Sequence, residues 1–131
     1  MVVTGGGRGI GAATALLAAE RGFSVCVNYL KDKDSAVSLV KKIKKGIAVQ
    51  ADVSSEADVV RMFDEVDRQL GRVTALVNNA GIVDRGMRVE SMTAARIAFK
   101  DGAKLMKCRI VVRRVCAACA AMEQSATKVL Y

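Results

Sequence analysis

Two rhythms of apolar and polar residues alternate along the chain: short β-branched runs, and longer stretches with apolar residues three and four apart. Met1-Val2-Val3 reads as a strand lacking its beginning, because buried strands ordinarily run to about five or six residues. From Ile10 to Arg21, residues Ile10, Ala13, Leu17 and Ala18 have the spacing of one helix face, and Gly22 ends the helix. Phe23 to Asn28 is a β-branched apolar run and reads as a second strand. Asp34 to Lys45 sets Ala36, Leu39, Val40 and Ile43 against lysines, an amphipathic helix stopped by Gly46. Ile47 to Val49 is a short third strand. Ser55 then stands three residues before Asp58 in a capping-box arrangement, and Val59, Met62, Phe63, Val66 and Leu70 follow at helical spacing. Gly71 closes that helix, and Val73 to Val77 forms a fourth strand.

Strand and helix therefore alternate through the first 77 residues, and the strands are apolar almost throughout. This pattern predicts an α/β fold with a parallel sheet covered on both faces, and right-handed crossovers leave few topologies. The expected one is a truncated Rossmann-like, doubly wound sheet of about four strands in the order 3-2-1-4. A chain of 131 residues suffices for one such domain with its own core. Residues 1–97 are expected to form its partial Rossmann part, and residues 98–131 a divergent basic helical tail packed on the same domain. In the tail, Leu105, Cys108, Val112, Val115, Cys119 and Met122 recur at helical spacing, which predicts an amphipathic helix lying over apolar sheet surface. The fourth strand would otherwise present an open apolar edge, a route to self-association or to a longer relative.

Charge sharpens the division. Residues 1–96 carry 14 basic and 11 acidic side chains, and residues 97–131 carry 7 and 2, so the tail supplies most of the net charge of +8. A solvated helix face and an anionic partner both fit that excess; the tail lacks the aromatic interleaving or recognisable module of a nucleic-acid binder. Four cysteines and no histidine leave Cys116 and Cys119 without a second ligand pair for zinc. The absence of a leader-like segment favours a reducing, cytoplasmic setting, and the uncharged run VCAACAAM is too short to span a bilayer.

The densest local signal is TGGGRGIG at residues 4–11, where five glycines sit between a strand and a helix. At that junction helix amides without internal partners point outward, and missing side chains let a phosphate approach them. The spacing is T-G-x-x-x-G-I-G rather than G-x-G-x-x-G. It is joined by Asp52-Val53 after the third strand and Asn78-Asn79-Ala80-Gly81 after the fourth. With VTGGGRGIGAATA, QADVS and ALVNNAGI in this order, the chain resembles the short-chain dehydrogenase/reductase family from Met1 to about Ile97. It looks closest to the bacterial-type reductases and sugar dehydrogenases of that family.

The resemblance implies an NAD(P)-linked oxidoreductase acting on an alcohol or carbonyl. Gly5, Gly9 and Gly11 would form the pyrophosphate turn, with Arg8 and Ile10 adding contacts. Asp52 would accept a hydrogen bond from the adenine amino group beside the Val53 amide. Asn79, Ala80 and Gly81 would pass along the ribose, and Asn78 would steady the sheet. Asn28, at the end of the second strand, stands where an NAD-preferring site would place an acid. Without that acid, and with Arg8, Lys31 and Lys33 within reach, NADP is expected ahead of NAD, although the lysines also fit as solvated loop charges. The family's catalytic groups are a Ser, a Tyr-x-x-x-Lys pair and a helix Asn. They are not mapped here: Tyr29 lies at the cofactor end of a strand, and Tyr131 has no Lys after it. The family pattern gives way at about Phe99, which a shifted reading frame or a truncated gene would explain. The expectation is thus a cofactor-binding domain with little or no activity, the alternatives being a non-catalytic nucleotide-binding or interaction module or, less favoured, a basic nucleic-acid binder.

Overall fold

The computed structural model describes residues 1–81 and the backbone of residues 128–130. Its elements run β1 (Val2–Val3), α1 (Gly9–Glu20), β2 (Val25–Tyr29), α2 (Lys33–Val40), β3 (Gly46–Gln50), α3 (Glu56–Leu70), β4 (Ala75–Val77) and β5 (Lys128–Leu130). All strand pairs are parallel, in the order β3-β2-β1-β4-β5. Val2 pairs with Cys26 on one side and Leu76 on the other, so β1, although only two residues long, is the centre of the sheet.

The expected order 3-2-1-4 is present, and a fifth strand extends it. β5 lies alongside β4, with Leu76 opposite Val129. The edge of β4 is therefore paired with β5. Residues 105–122, expected to be helical, lie outside the described residues.

Successive strand residues face opposite sides, so each strand feeds two cores. Val2, Cys26, Val49 and Leu76 meet Val59, Met62, Phe63 and Val66 of α3 on one face. Val3, Val25, Val27 and Tyr29 meet Ala15 and Ala18 of α1 and Ala36 and Leu39 of α2 on the other. Cys26 is fully buried in the first of these layers, and burial pushes its thiol up to about 12, which makes it an apolar packing group.

Helix α1 buries a different face from the one its spacing suggested. Gly11, Ala15 and Ala18 point inward, whereas Ile10 is 80% exposed and Leu17 48% exposed. The helix is apolar nearly all round, so its face is chosen by how closely small residues let it approach the sheet. α2 ends at Val40, earlier than expected, and Ile43 reaches the core from the following turn, where its N–H donates to Val40 O at 2.9 Å. α3 follows its predicted pattern, with Ser55 at the N-cap.

Candidate functional site

Parallel strands bring every strand-to-helix connection to one edge of the sheet, and three of those connections carry the motifs identified in the sequence. The glycine turn after β1 is held from both sides. Toward β2, Gly6 N–H donates to Asn28 O at 2.9 Å and Gly5 N–H to Asn28 Oδ1 at 3.2 Å. Toward β4, Thr4 N–H donates to Val77 O at 3.0 Å, and Thr4 Oγ1 accepts the N–H groups of Asn79 and Ala80, each at 3.0 Å. Asn79 Nδ2 completes the clamp by donating to the carbonyls of Thr4 and Gly5, both at 3.0 Å.

Glycine is required here for two separate reasons. Gly9 has φ +57°, in the left-handed region, and a Cβ there would meet nothing within 4 Å. Gly11 is buried, and a Cβ there would lie 2.5 Å from Asn79 Nδ2 and 2.6 Å from Gly5 O. Arg8 is the N-cap of α1, extended and exposed, and its side chain makes no capping bond; no acid lies in the first turn. The Gly9, Ile10 and Gly11 amides precede the first i to i−4 bond of the helix, Ala12 N–H to Arg8 O. That end of the helix carries positive potential with no carboxylate in its own first turn, which suits an anion. The Gly5 and Gly6 amides are spent on Asn28, so the groups open to an anion are those at the helix start and not those of the first glycines.

Asn28 lies beneath this turn. It is 2% exposed, and its Nδ2 donates to Ala51 O at 3.0 Å and Val49 O at 3.4 Å. Its side chain thus joins the end of β3 to the start of the glycine turn and has no surface for a ligand. Thr4, the first letter of the glycine motif, is the corresponding hub on the other side. Its signal was a polar residue following two valines at the end of a buried strand.

After β3, Asp52 Oδ1 accepts the Ser54 N–H at 2.8 Å and the Ser54 hydroxyl, and Val53 is buried against α3. Asp58 accepts the Asp52 N–H, and this bond first, then Arg61, holds its carboxyl below the usual carboxylate range. After β4, Asn79 and Ala80 are half-buried and Gly81 is exposed; Asn78 Nδ2 is buried with no hydrogen-bond partner among the described residues.

Beyond β2, Lys31 and Lys33 are exposed, and Asp32 caps α2 by accepting Ser35 N–H at 3.1 Å. Its bonds to Ser35 first, with Arg8 nearby, hold the Asp32 carboxyl below its ordinary value. Tyr29 and Lys33 have the letter spacing Tyr-x-x-x-Lys. Tyr29, however, is the last residue of β2, 9% exposed in the α1–α2 core, and Lys33 opens α2. The two do not share a helix face, as an acid and the lysine tuning it would. Among the described residues no cluster of His, Cys, Asp or Glu could hold a metal, and no helix is long and apolar enough to cross a membrane.

Comparison with known proteins agrees with this fold. The short chain dehydrogenase family profile matches residues 1–126, beyond the extent expected from the motifs. The uncharacterized oxidoreductase YgfF of Escherichia coli K12 is 46% identical over 100 residues, covering 73% of this chain and 40% of its own length. A 3-oxoacyl-(acyl-carrier-protein) reductase, FabG of Staphylococcus epidermidis, is 49% identical over 85 residues, 62% of this chain and 35% of that protein. Among solved structures, the 3-ketoacyl-(acyl-carrier-protein) reductase of Brucella melitensis, complexed with NADH, superposes with a TM-score of 0.79 at 28% identity. That match covers 89% of this chain and 48% of the reductase. The chain thus spans half or less of the proteins it resembles.

Proposed function

Because this chain belongs to the short-chain dehydrogenase family, we propose that the three connections at the sheet edge hold a nicotinamide dinucleotide, with NADP favoured over NAD. The observation that carries the proposal is the α1 N-terminus: uncapped by any side chain, without an acid in its first turn, and reached over glycines. The Gly9 to Gly11 amides would take the pyrophosphate, with Arg8 and Ile10 flanking it and Gly5 shaping the turn. Asp52 and the Val53 amide would meet the adenine, and Asn79, Ala80 and Gly81 the ribose. Asn28 would act only by fixing Gly5 and Gly6 from below.

The preference for NADP follows from charge. Asn28 and Tyr29, where an acid would bind ribose hydroxyls, are buried, and the first acid beyond them, Asp32, is engaged in capping α2. Arg8, Lys31 and Lys33 are left to receive a 2′-phosphate. In the family's reaction the bound nicotinamide would supply hydride exchange with an alcohol or carbonyl carbon. The chain's own residues bind and orient it. No acid–base group is assigned among them, and so we propose binding without turnover.

Fluorescence titration of the whole chain with NADPH and NADH tests this reading. Saturable binding that is tighter for NADPH is expected, and silence at millimolar NADPH would remove the dinucleotide assignment. Equal affinities would remove the 2′-phosphate argument alone.

A further inference from the structure

The first turn of α3 is bonded in a way that its capping motif does not require. Ser55 Oγ accepts the Asp58 N–H at 3.4 Å, as a capping box demands. The reciprocal arm should bring the Asp58 carboxylate back to the Ser55 amide, but that amide already donates to Asp52 O at 2.9 Å. Asp58 Oδ2 reaches past it and accepts the Asp52 N–H at 2.8 Å. Asp58 Oδ1 meets Arg61 Nη2 at 3.3 Å, and the same nitrogen donates to Gln50 O at 2.9 Å. A closed path of polar contacts therefore runs from the last residue of β3, through Arg61 and Asp58, to the backbone of Asp52.

We infer that Asp58 is a positioning residue for the adenine end of the site: it fixes the main chain of Asp52 while Ser54 fixes the side chain. The inference rests on the cofactor reading above. Two restraints are needed because Asp52 follows the end of a strand, where the ladder no longer holds the backbone. With the Asp58 carboxylate absent, the Asp52 N–H loses this acceptor while Asn28 still holds the Ala51 carbonyl of the same peptide, so the Asp52 carboxylate and the Val53 amide lose part of their common alignment. An acid serves here because the N-terminus of α3 favours a negative charge, and the charged groups facing Asp58 are Arg61 from the same helix and Asp52 from the loop.

The test compares the whole chain with its Asp58→Ala and Asp58→Asn variants, titrated with NADPH, 2′,5′-ADP and reduced nicotinamide mononucleotide. Losing one hydrogen bond of ordinary strength should weaken NADPH and 2′,5′-ADP about five-fold or more in the alanine variant. The mononucleotide should bind unchanged, and asparagine, which keeps an acceptor oxygen, should restore affinity. Asp58→Ser, polar but too short to reach, replaces alanine if that variant does not fold. Unaltered 2′,5′-ADP binding, equal weakening of the mononucleotide, or an asparagine variant no better than alanine would each overturn the inference while leaving the cofactor reading intact. A parent chain that binds neither NADPH nor 2′,5′-ADP overturns both.

Discussion

The turn after β1 and the loop after β3 lie at the same edge of the sheet and are fixed by opposite means. In the first, order comes from missing side chains: Gly11 is buried where a single methyl group would strike Asn79 Nδ2 at 2.5 Å. Its bonds run between backbone groups and the neutral side chains of Thr4, Asn28 and Asn79. In the second, order comes from side chains that are present, namely Asp52, Ser54, Ser55, Asp58 and Arg61, most of them partly or fully exposed. A steric constraint is met or violated, whereas a set of exposed polar bonds weakens by degrees. The first loop should therefore fail abruptly under substitution, and the second gradually and with sensitivity to pH.

The sharpest break is Gly11→Ala. Overpacking at a buried contact with both a side chain and a carbonyl should cost about 2–3 kcal/mol and abolish NADPH binding. Chemical denaturation measures the cost, and a midpoint equal to that of the parent would refute the steric account of the turn. Thr4→Val comes next. Thr4 is 1% exposed, and its hydroxyl serves the Asn79 and Ala80 amides as well as Val77 O. The Asn79 N–H keeps Val77 O at 3.1 Å, but the Ala80 N–H loses its acceptor, which should cost about 1–2 kcal/mol, and Thr4→Ser should recover most of it. Gly9→Ala probes the same turn where space is open. Only the left-handed φ is penalised, so stability should fall by roughly 1 kcal/mol. A loss in the Gly9 variant as large as in the Gly11 variant would show that conformation, not contact, dominates the turn.

The same contrast explains what could be read in advance. The strand order, the helix-covered sheet and the α3 face were legible, because Val59, Met62, Phe63 and Val66 stand out against charged neighbours. The face of α1 was not. Ile10, Ala13, Leu17 and Ala18 make as good a stripe as Gly11, Ala15 and Ala18, and only the approach of the backbone to the sheet decides between them. The glycine turn was legible as the junction of β1 and α1, but the commitment of the Gly5 and Gly6 amides to Asn28 was hidden. Those bonds join residues 23 and 22 positions apart, and no local spacing records them. β5 was illegible for a related reason: a strand of three residues has almost no periodicity, and it exists because β4 offers a partner.

Acid should separate the two loops by the smallest of these effects. The Asp58 carboxyl is held below its ordinary value by the Asp52 amide and then by Arg61. A group depressed in the folded state contributes stability in full above its unfolded value, near 3.9 for an aspartate, and loses it as pH falls through the folded value. Asp32, depressed by Ser35, contributes with the same sign at the start of α2, so a single melting curve against pH does not isolate the loop. The difference between the parent and Asp58→Asn does. It should be present at neutral pH, shrink as pH falls below about 4, and diminish with added salt, because Asp58 and Arg61 are 37% and 57% exposed. The corresponding difference between the parent and Thr4→Val should stay level over the same range, since neither threonine nor its partners titrate. A Thr4 difference that followed the acid limb would mean that the glycine turn depends on the charge of the neighbouring loop, and the two would no longer be independent supports of one site.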